Sequence, residues 1–333
     1  MESNPFILVD KYKRQLNYLR ISVTDRCNLR CIYCMPRTGI AKLKHSDILT
    51  YEEIQRLSEI AARLGITKIR LTGGDPLCRR GLCDFIPKLT SIKGIKEVSL
   101  TTNGVYLEKN LEKIKAGGIK RLNISLDSLK RDRYEMMAGF DGLKRVKRGI
   151  KKAWKLGFAP IKINIVVIKG INDDEIVDLA RLSLEYPFHV RFIEYMPIGE
   201  FAPANAFHHL PSALIKERIS SLGQLIPIEK SEWDGPSERF RLKNAPGEIG
   251  FISPLSHHFC DVCNRLRLTA RGSLRPCLLY NREVDIKGPM RNGATDDELA
   301  GIFISAARNK PHHHTIEEEN PSVLKAQMSS IGG

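Results

Sequence analysis

An α/β fold built on a partial barrel of six strand–helix units is predicted by three observations. Six short segments rich in Val, Ile and Leu recur between Asn17 and Pro197. Helix-length segments separate them, as crossover connections between parallel strands require. The rhythm then stops with six units, short of a closed eight-fold barrel. A partial barrel or an open wound sheet follows, with ligands at the C-terminal ends of the strands.

The strands are predicted at Tyr18–Thr24, Ile66–Thr72, Glu97–Thr102, Arg121–Leu126, Pro160–Ile168 and His189–Tyr195. Thr50, with Glu53 three residues later, forms a capping box that starts the first helix. Leu57, Ile60, Ala61 and Leu64 give that helix its apolar face, and Gly65 ends it. Further helices are predicted at Leu107–Ala116, Leu143–Leu156 and Asp174–Leu184. Beyond Pro197, Phe201–Leu210 reads as loop, Pro211–Leu222 as helix, and the stretch to Pro254 as short antiparallel strands. A second cysteine group, a helix over Asp296–Arg308 and a polar tail, Asn320–Gly333, complete the chain. The expected division is a barrel over residues 1–197 and an α+β extension over 198–333. No low-complexity linker separates them, so the extension should pack on the barrel's open side.

The 333 residues are 42% hydrophobic and 27% charged, the balance of a soluble protein with a sizeable core. No run of about 18 apolar residues suggests a membrane span. Met1–Asp10 lacks the basic-then-apolar pattern of a signal peptide. A cytoplasmic location is therefore expected. Thiols stay reduced there, so the eight cysteines point to metal or catalysis rather than disulfides. The net charge of +15 favours a polyanionic partner: nucleic acid, a membrane or a nucleotide.

Cys27, Cys31 and Cys34 stand three and two residues apart on the loop after the first strand. Three thiolates converging on a four-iron cubane leave one iron open to a ligand. Zinc accepts cysteines at such spacings, but it wants a fourth ligand and does not account for the loop's place in the repeat. The segment resembles the signature of the radical S-adenosylmethionine (SAM) superfamily, including Tyr33 before the third cysteine. Gly73-Gly74-Asp75-Pro76, ending the second strand, resembles that family's glycine-glycine-glutamate-proline loop, with Asp75 in place of the usual glutamate. Its glycines let backbone come close to a ligand. The resemblance implies a 4Fe–4S cluster whose open iron binds SAM, and a 5′-deoxyadenosyl radical on reduction.

Cys260, Cys263 and Cys277 form a second group, with two and thirteen residues between them. On spacing alone, a zinc ribbon completed by His257 or His258 competes with a second three-cysteine cluster. Cys78 and Cys83 read as packing residues, and His312-His313-His314 as an exposed loop without a metal. The two triads, the segment Cys263-Asn264-Arg265-Leu266-Arg267 and the Gly332-Gly333 terminus together resemble the GTP 3′,8-cyclase family from about Arg20 onward.

That resemblance implies two 4Fe–4S clusters, SAM as cofactor and GTP as substrate in the first step of molybdenum cofactor biosynthesis. It implies SAM contacts at Tyr33, Gly74, Ser125 and Met196, and GTP contacts at Arg20, Arg70, Thr101, Lys162, Arg265, Leu266 and Arg267. A supporting role falls to Gly332 and Gly333, whose tail is expected to reach the active site. Arginine and lysine suit such a site independently, because guanidinium groups grip phosphate oxygens. An external electron donor and handover of product to cyclic pyranopterin monophosphate synthase are also implied. A homodimer is compatible with all of this. An RNA-modifying radical SAM enzyme would use the positive charge differently. Against it stand the lack of an appended oligonucleotide-binding module and of a basic stretch interleaved with aromatics, which total 7%. A colourless zinc protein that binds nucleic acid is the third reading.

Overall fold

A computed structural model describes residues 7–198, 208–229, 235–314 and 328–332. The expected loop over Phe201–Leu210 and the tail from Asn320 lie largely outside the described residues, as does Gly333.

Six parallel strands form the centre: β1 (Tyr18–Ser22), β2 (Lys68–Thr72), β3 (Glu97–Thr102), β4 (Leu122–Ser125), β5 (Ile161–Val167) and β6 (Phe188–Glu194). They lie side by side in chain order. Helices α1 (Tyr51–Arg63), α2 (Leu82–Thr90), α3 (Leu107–Ala116), α4 (Arg131–Ala138), α5 (Leu143–Lys155) and α6 (Ile176–Glu185) connect them. The Thr50–Glu53 capping box opens α1 as predicted. Two helices, α2 and α4, were not anticipated. Pro87 interrupts the helical pattern of α2, and α4 is short with little apolar periodicity, so neither carried a clear signal.

Strand alternation divides the sheet into two chemistries. Leu19, Ile21, Ile69, Leu71, Leu100, Ile124, Ile163 and Phe192 point outward and are buried in the main core. Their alternates, among them Arg20, Arg70, Thr101, Ser125, Asn164 and Arg191, face an interior cavity. An apolar outer face covered by helices and a polar inner face is the pattern of a barrel that encloses a ligand.

The C-terminal third does not simply rest on one side of this sheet; it extends both edges. β7 (Leu225–Ile228), β8 (Glu238–Leu242) and β9 (Glu248–Ile252) run antiparallel to one another as expected. However, β9 pairs parallel with β6, setting Val190 opposite Ile249. At the other edge β10 (Arg265–Leu268) pairs parallel with β1, setting Arg20 opposite Arg267. β11 (Ser273–Arg275) and β12 (Val284–Asp285) continue outward, making twelve strands with β12 and β7 at the ends. Helix α7 (Ser212–Ile219) lies over β6, short α8 (Lys287–Arg291) follows β12, and α9 (Asp296–Arg308) packs on α1. No helix among the described residues is long and apolar enough to cross a membrane.

Glu194, the last residue of β6, joins the extension to the barrel. Its fully buried carboxylate accepts from the Ser212 amide at 2.9 Å and hydroxyl at 3.0 Å. It also accepts from the Leu255 and Ser256 amides at 3.1 and 3.0 Å. Burial alone would raise its pKa, but these donors and His209 outweigh it and bring the carboxyl down to about 2. A folded-state pKa below the unfolded one gives stability that is fully present above about pH 4.5 and disappears as pH falls toward 2. Glu194→Gln should therefore lower stability near neutrality by about 1.5–3 kcal/mol. Paired thermal melts should show the gap between variant and wild type closing below pH 4, and a pH-independent gap would contradict the charged role.

Candidate active site

The loop after β1 is held by backbone pairing with the loop after β2. The Gly74 amide donates to the Thr24 carbonyl and the Asp75 amide to the Arg26 carbonyl, both at 2.8 Å. A Cβ at Gly74 would collide with the Arg26 carbonyl, so only glycine allows this approach. The Asp75 carboxylate turns back to accept from the Thr102 hydroxyl and the Asn103 amide, each at 2.7 Å, and from the Leu77 amide at 2.9 Å. It thus ties the ends of β2 and β3 together. Burial pushes its pKa up to about 6 despite these donors. Tyr33 donates its hydroxyl to Asp127 at 2.6 Å, linking the cysteine loop to the end of β4.

Cys27, Cys31 and Cys34 are half-buried on this loop. Burial and the nearby Asp75 charge raise Cys27 to about 11, and burial likewise raises Cys31 and Cys34. Thiols so disfavoured as anions need a bound cation to displace their protons. The Leu29 amide donates to Cys27 Sγ at 3.4 Å, and Asn103 Nδ2 reaches it at 3.6 Å. Asn103 also donates to Asn28 Oδ1, to which Cys78 donates its thiol at 3.4 Å. Cys83 packs against the main core. Cys78 and Cys83 thus remain outside the triad.

The second triad has a different electrostatic setting. Burial opposes ionisation of Cys263, but Arg265 and Lys310, with hydrogen bonds from Arg265, bring it down to about 6. Lys310 is buried and donates to the Arg265 and Pro276 carbonyls at 2.9 and 2.6 Å, clamping the strand after Cys263 to the segment before Cys277. Arg275 donates to the Cys277 carbonyl at 3.0 Å. From the far end of the chain Arg14 donates to the Cys260 carbonyl at 2.6 Å and to the Pro311 carbonyl at 2.6 Å. None of these three cations was anticipated as part of the site. Their targets are backbone carbonyls, distant in sequence for Arg14 and Lys310, which leave no local motif.

One cavity of about 310 Å³ is lined by all six cysteines. Tyr33, Gly74, Ser125 and Met196 stand on its wall, as do Arg20, Arg70, Thr101, Arg265 and Arg267. Lys162 and Leu266 do not. Lys162 is buried beneath the wall between Asn123 and His189 of neighbouring strands, and the Leu266 side chain faces the core. Asn164 and Arg191 also face the cavity and escaped the sequence reading, although both keep the alternation of polar inward positions with Lys162.

Arg267, Arg20 and Arg70 occupy one row across β10, β1 and β2. Burial and the neighbouring Arg265 hold Arg267 down to about 9, and burial and Arg267 hold Arg20 well below the usual arginine range. Among the described residues, no carboxylate pairs with Arg70, Arg265 or Arg267. Thr101 Oγ1 and Asn164 Oδ1 are buried on the same wall without a hydrogen-bond partner. These groups fit an anionic, polar ligand.

Two family models match successive parts of the chain and meet between α6 and β6. Residues 21–183 match the Radical SAM superfamily, and residues 188–316 match Molybdenum Cofactor Synthesis C. The GTP 3′,8-cyclase of Moorella thermoacetica is 50% identical over 97% of this chain and 99% of its own length. That of Pelotomaculum thermopropionicum is 47% identical over 97% of this chain and 99% of its own. The chain belongs to the GTP 3′,8-cyclase family. Streptococcus suis SuiB bound to S-adenosylmethionine superposes with a TM-score of 0.62 at 15% identity, covering 88% of this chain and 69% of SuiB, which shows a shared fold. As a radical SAM family member the protein uses SAM and a 4Fe–4S cluster.

The tail departs from the expected lack of structure. Met328–Ile331 forms a short helix, α10, whose Ile331 is buried against Ile198 and Leu279. Arg267 Nη1 donates to the Gly332 carbonyl. Gly332 has φ +71°, and a Cβ there would collide with the Thr72 hydroxyl. Gly332→Ala should therefore release the tail from Arg267. A left-handed non-glycine residue alone costs about 1–2 kcal/mol, so carboxypeptidase trimming should speed up about fivefold or more. Trimming at the wild-type rate would show that the terminus is not held there.

Proposed function

We propose that this protein cyclises GTP to (8S)-3′,8-cyclo-7,8-dihydroguanosine 5′-triphosphate, the first step of molybdenum cofactor biosynthesis, between two 4Fe–4S clusters. The observation that carries this reading is the single cavity walled by both cysteine triads and by a row of arginines on adjacent strands. When bound, SAM and the cluster would supply a 5′-deoxyadenosyl radical to abstract the ribose 3′ hydrogen, and closure of the 3′ carbon onto guanine C8 would be completed by one electron from the donor and one proton.

The chain's own residues hold and orient these groups. Cys27, Cys31 and Cys34 would hold the first cluster, and Cys260, Cys263 and Cys277 the second, which would bind the guanine. Tyr33, Gly74, Ser125 and Met196 seat SAM. Arg20, Arg70, Thr101, Lys162, Arg265, Leu266 and Arg267 receive GTP, the guanidiniums neutralising the triphosphate through charge-assisted hydrogen bonds. Gly332 and Gly333 support turnover, and the Gly332 carbonyl accepts from Arg267. The same reading places the enzyme in the cytoplasm, served by an external electron donor and handing product to cyclic pyranopterin monophosphate synthase. The +15 charge is then drawn partly into binding a nucleotide rather than a nucleic acid or a membrane.

Two outcomes test the assignment. Cys27→Ala, Cys31→Ala or Cys34→Ala should abolish 5′-deoxyadenosine formation. Cys260→Ala, Cys263→Ala or Cys277→Ala should keep the first cluster and some SAM cleavage but yield no cyclised nucleotide. Product at near the wild-type rate from the second set would remove the second cluster from the chemistry. Arg265→Ala and Arg267→Ala should each lower kcat/KM for GTP about tenfold or more, with iron content unchanged, as expected for losing a contact worth about 1.5–3 kcal/mol. Unaltered kinetics in both would assign the triphosphate elsewhere.

A further inference from the structure

His258, Cys260 and His314 each place a potential ligand atom within 4.8 Å of the other two. They come from separate segments, the loop before β10 and the segment after α9, which Arg14 holds together through the Cys260 and Pro311 carbonyls. His314 therefore turns inward from a run expected to be an exposed loop, while His312 and His313 stay exposed.

The two imidazoles are oriented by one acceptor. His258 Nδ1 lies 2.8 Å and His314 Nε2 2.7 Å from the Pro254 carbonyl oxygen. A carbonyl oxygen only accepts, so both nitrogens carry the proton. The opposite nitrogens, His258 Nε2 and His314 Nδ1, are left with lone pairs. His314 Nδ1 is buried and has no hydrogen-bond partner. The rings meet edge to face with centroids 4.4 Å apart. A backbone carbonyl that fixes the tautomer of two histidines beside a thiol is the outer-shell arrangement of a metal-binding imidazole pair.

We propose that His258, Cys260 and His314 form a site for a single divalent transition-metal cation of zinc type. Two imidazoles and one thiolate suit such an ion, with the fourth tetrahedral position left to water. The site goes beyond the two-cluster reading and stands without it. Cys260 belongs both to this trio and to the second triad, so the cation and a second cluster exclude one another. Zinc captured here keeps the second triad from assembling, which makes the site a checkpoint on metallation.

The test uses the full-length chain carrying Cys27→Ala, Cys31→Ala and Cys34→Ala, so that the first cluster cannot form. Freed of metal anaerobically and titrated with Zn²⁺ against a chromophoric chelator, it should bind one ion per chain. His258→Gln and His314→Gln should each weaken binding about tenfold or more, while Cys263→Ser and Cys277→Ser leave it unchanged. Co²⁺ in the same site should show the charge-transfer intensity of one thiolate. In separate reconstitutions with iron and sulfide, added Zn²⁺ should cut iron uptake in the parent chain but not in His314→Gln. Iron uptake without zinc reports on the second cluster alone, so that reading can fail independently. Zinc binding indifferent to both histidines, lost with Cys263 or Cys277, or showing three thiolates on cobalt would overturn the proposal.

Discussion

The row of guanidiniums on adjacent strands is the constraint around which the rest of the molecule is arranged. Arg267, Arg20 and Arg70 share one level of the sheet, at a strand spacing of about 4.8 Å. Burial and the repulsion of neighbouring guanidiniums both act against Arg20 and Arg267. A sheet that keeps such a row must either expose it or reserve space beside it for an anion. This one reserves space: the row opens on the cavity that both cysteine triads line. The tail answers the same demand locally, because Arg267 finds the Gly332 carbonyl as a neutral acceptor.

A second set of cations solves a different problem. Arg14, Arg275 and Lys310 are buried and directed at backbone carbonyls around the second triad. Arg14 and Lys310 bridge segments remote in sequence and Arg275 braces the turn that carries Cys277, so loops with little regular structure become a fixed frame for three thiols. The positive field of Arg265 and Lys310 favours the thiolate at Cys263, whereas the first triad lies beside Asp75 and Asp127 and resists ionisation. The two triads therefore share a cavity but differ in charge environment, most clearly at Cys263.

Placing these triads across from one another depends on how the C-terminal third joins the sheet. β10 adds beside β1 and brings Arg265 and Arg267 next to Arg20. β9 adds beside β6, and Glu194 fastens the following turn at Leu255 and Ser256, just before Cys260. The Asp75 carboxylate does similar work at the first triad, holding the ends of β2 and β3 where the loop glycines approach the cysteine loop. In both cases a buried carboxylate, satisfied by several donors, sets the position of a loop that carries the chemistry.

Much of this was determined by sequence alone. The cysteine spacings, the Gly73–Pro76 turn and the six-fold strand rhythm are local patterns, set by the reach of short loops and by the period of strands and helices. They were sufficient for the fold class and for picking out the two cysteine triads that line one cavity, but not for much of the rest of its wall. Helices α2 and α4 were missed because Pro87 and weak amphipathicity hide their local signal. What only the tertiary structure decided are the long-range pairings. These include the parallel docking of β10 on β1 and β9 on β6, the seat of Gly332 against Thr72 and the depth of Lys162 beneath the wall. The convergence of His314 on Cys260 belongs with them. Such contacts join residues tens to hundreds of positions apart. Their energy comes from hydrogen bonds and packing that exist only once the sheet has brought those segments together, and no local periodicity encodes which segments those will be.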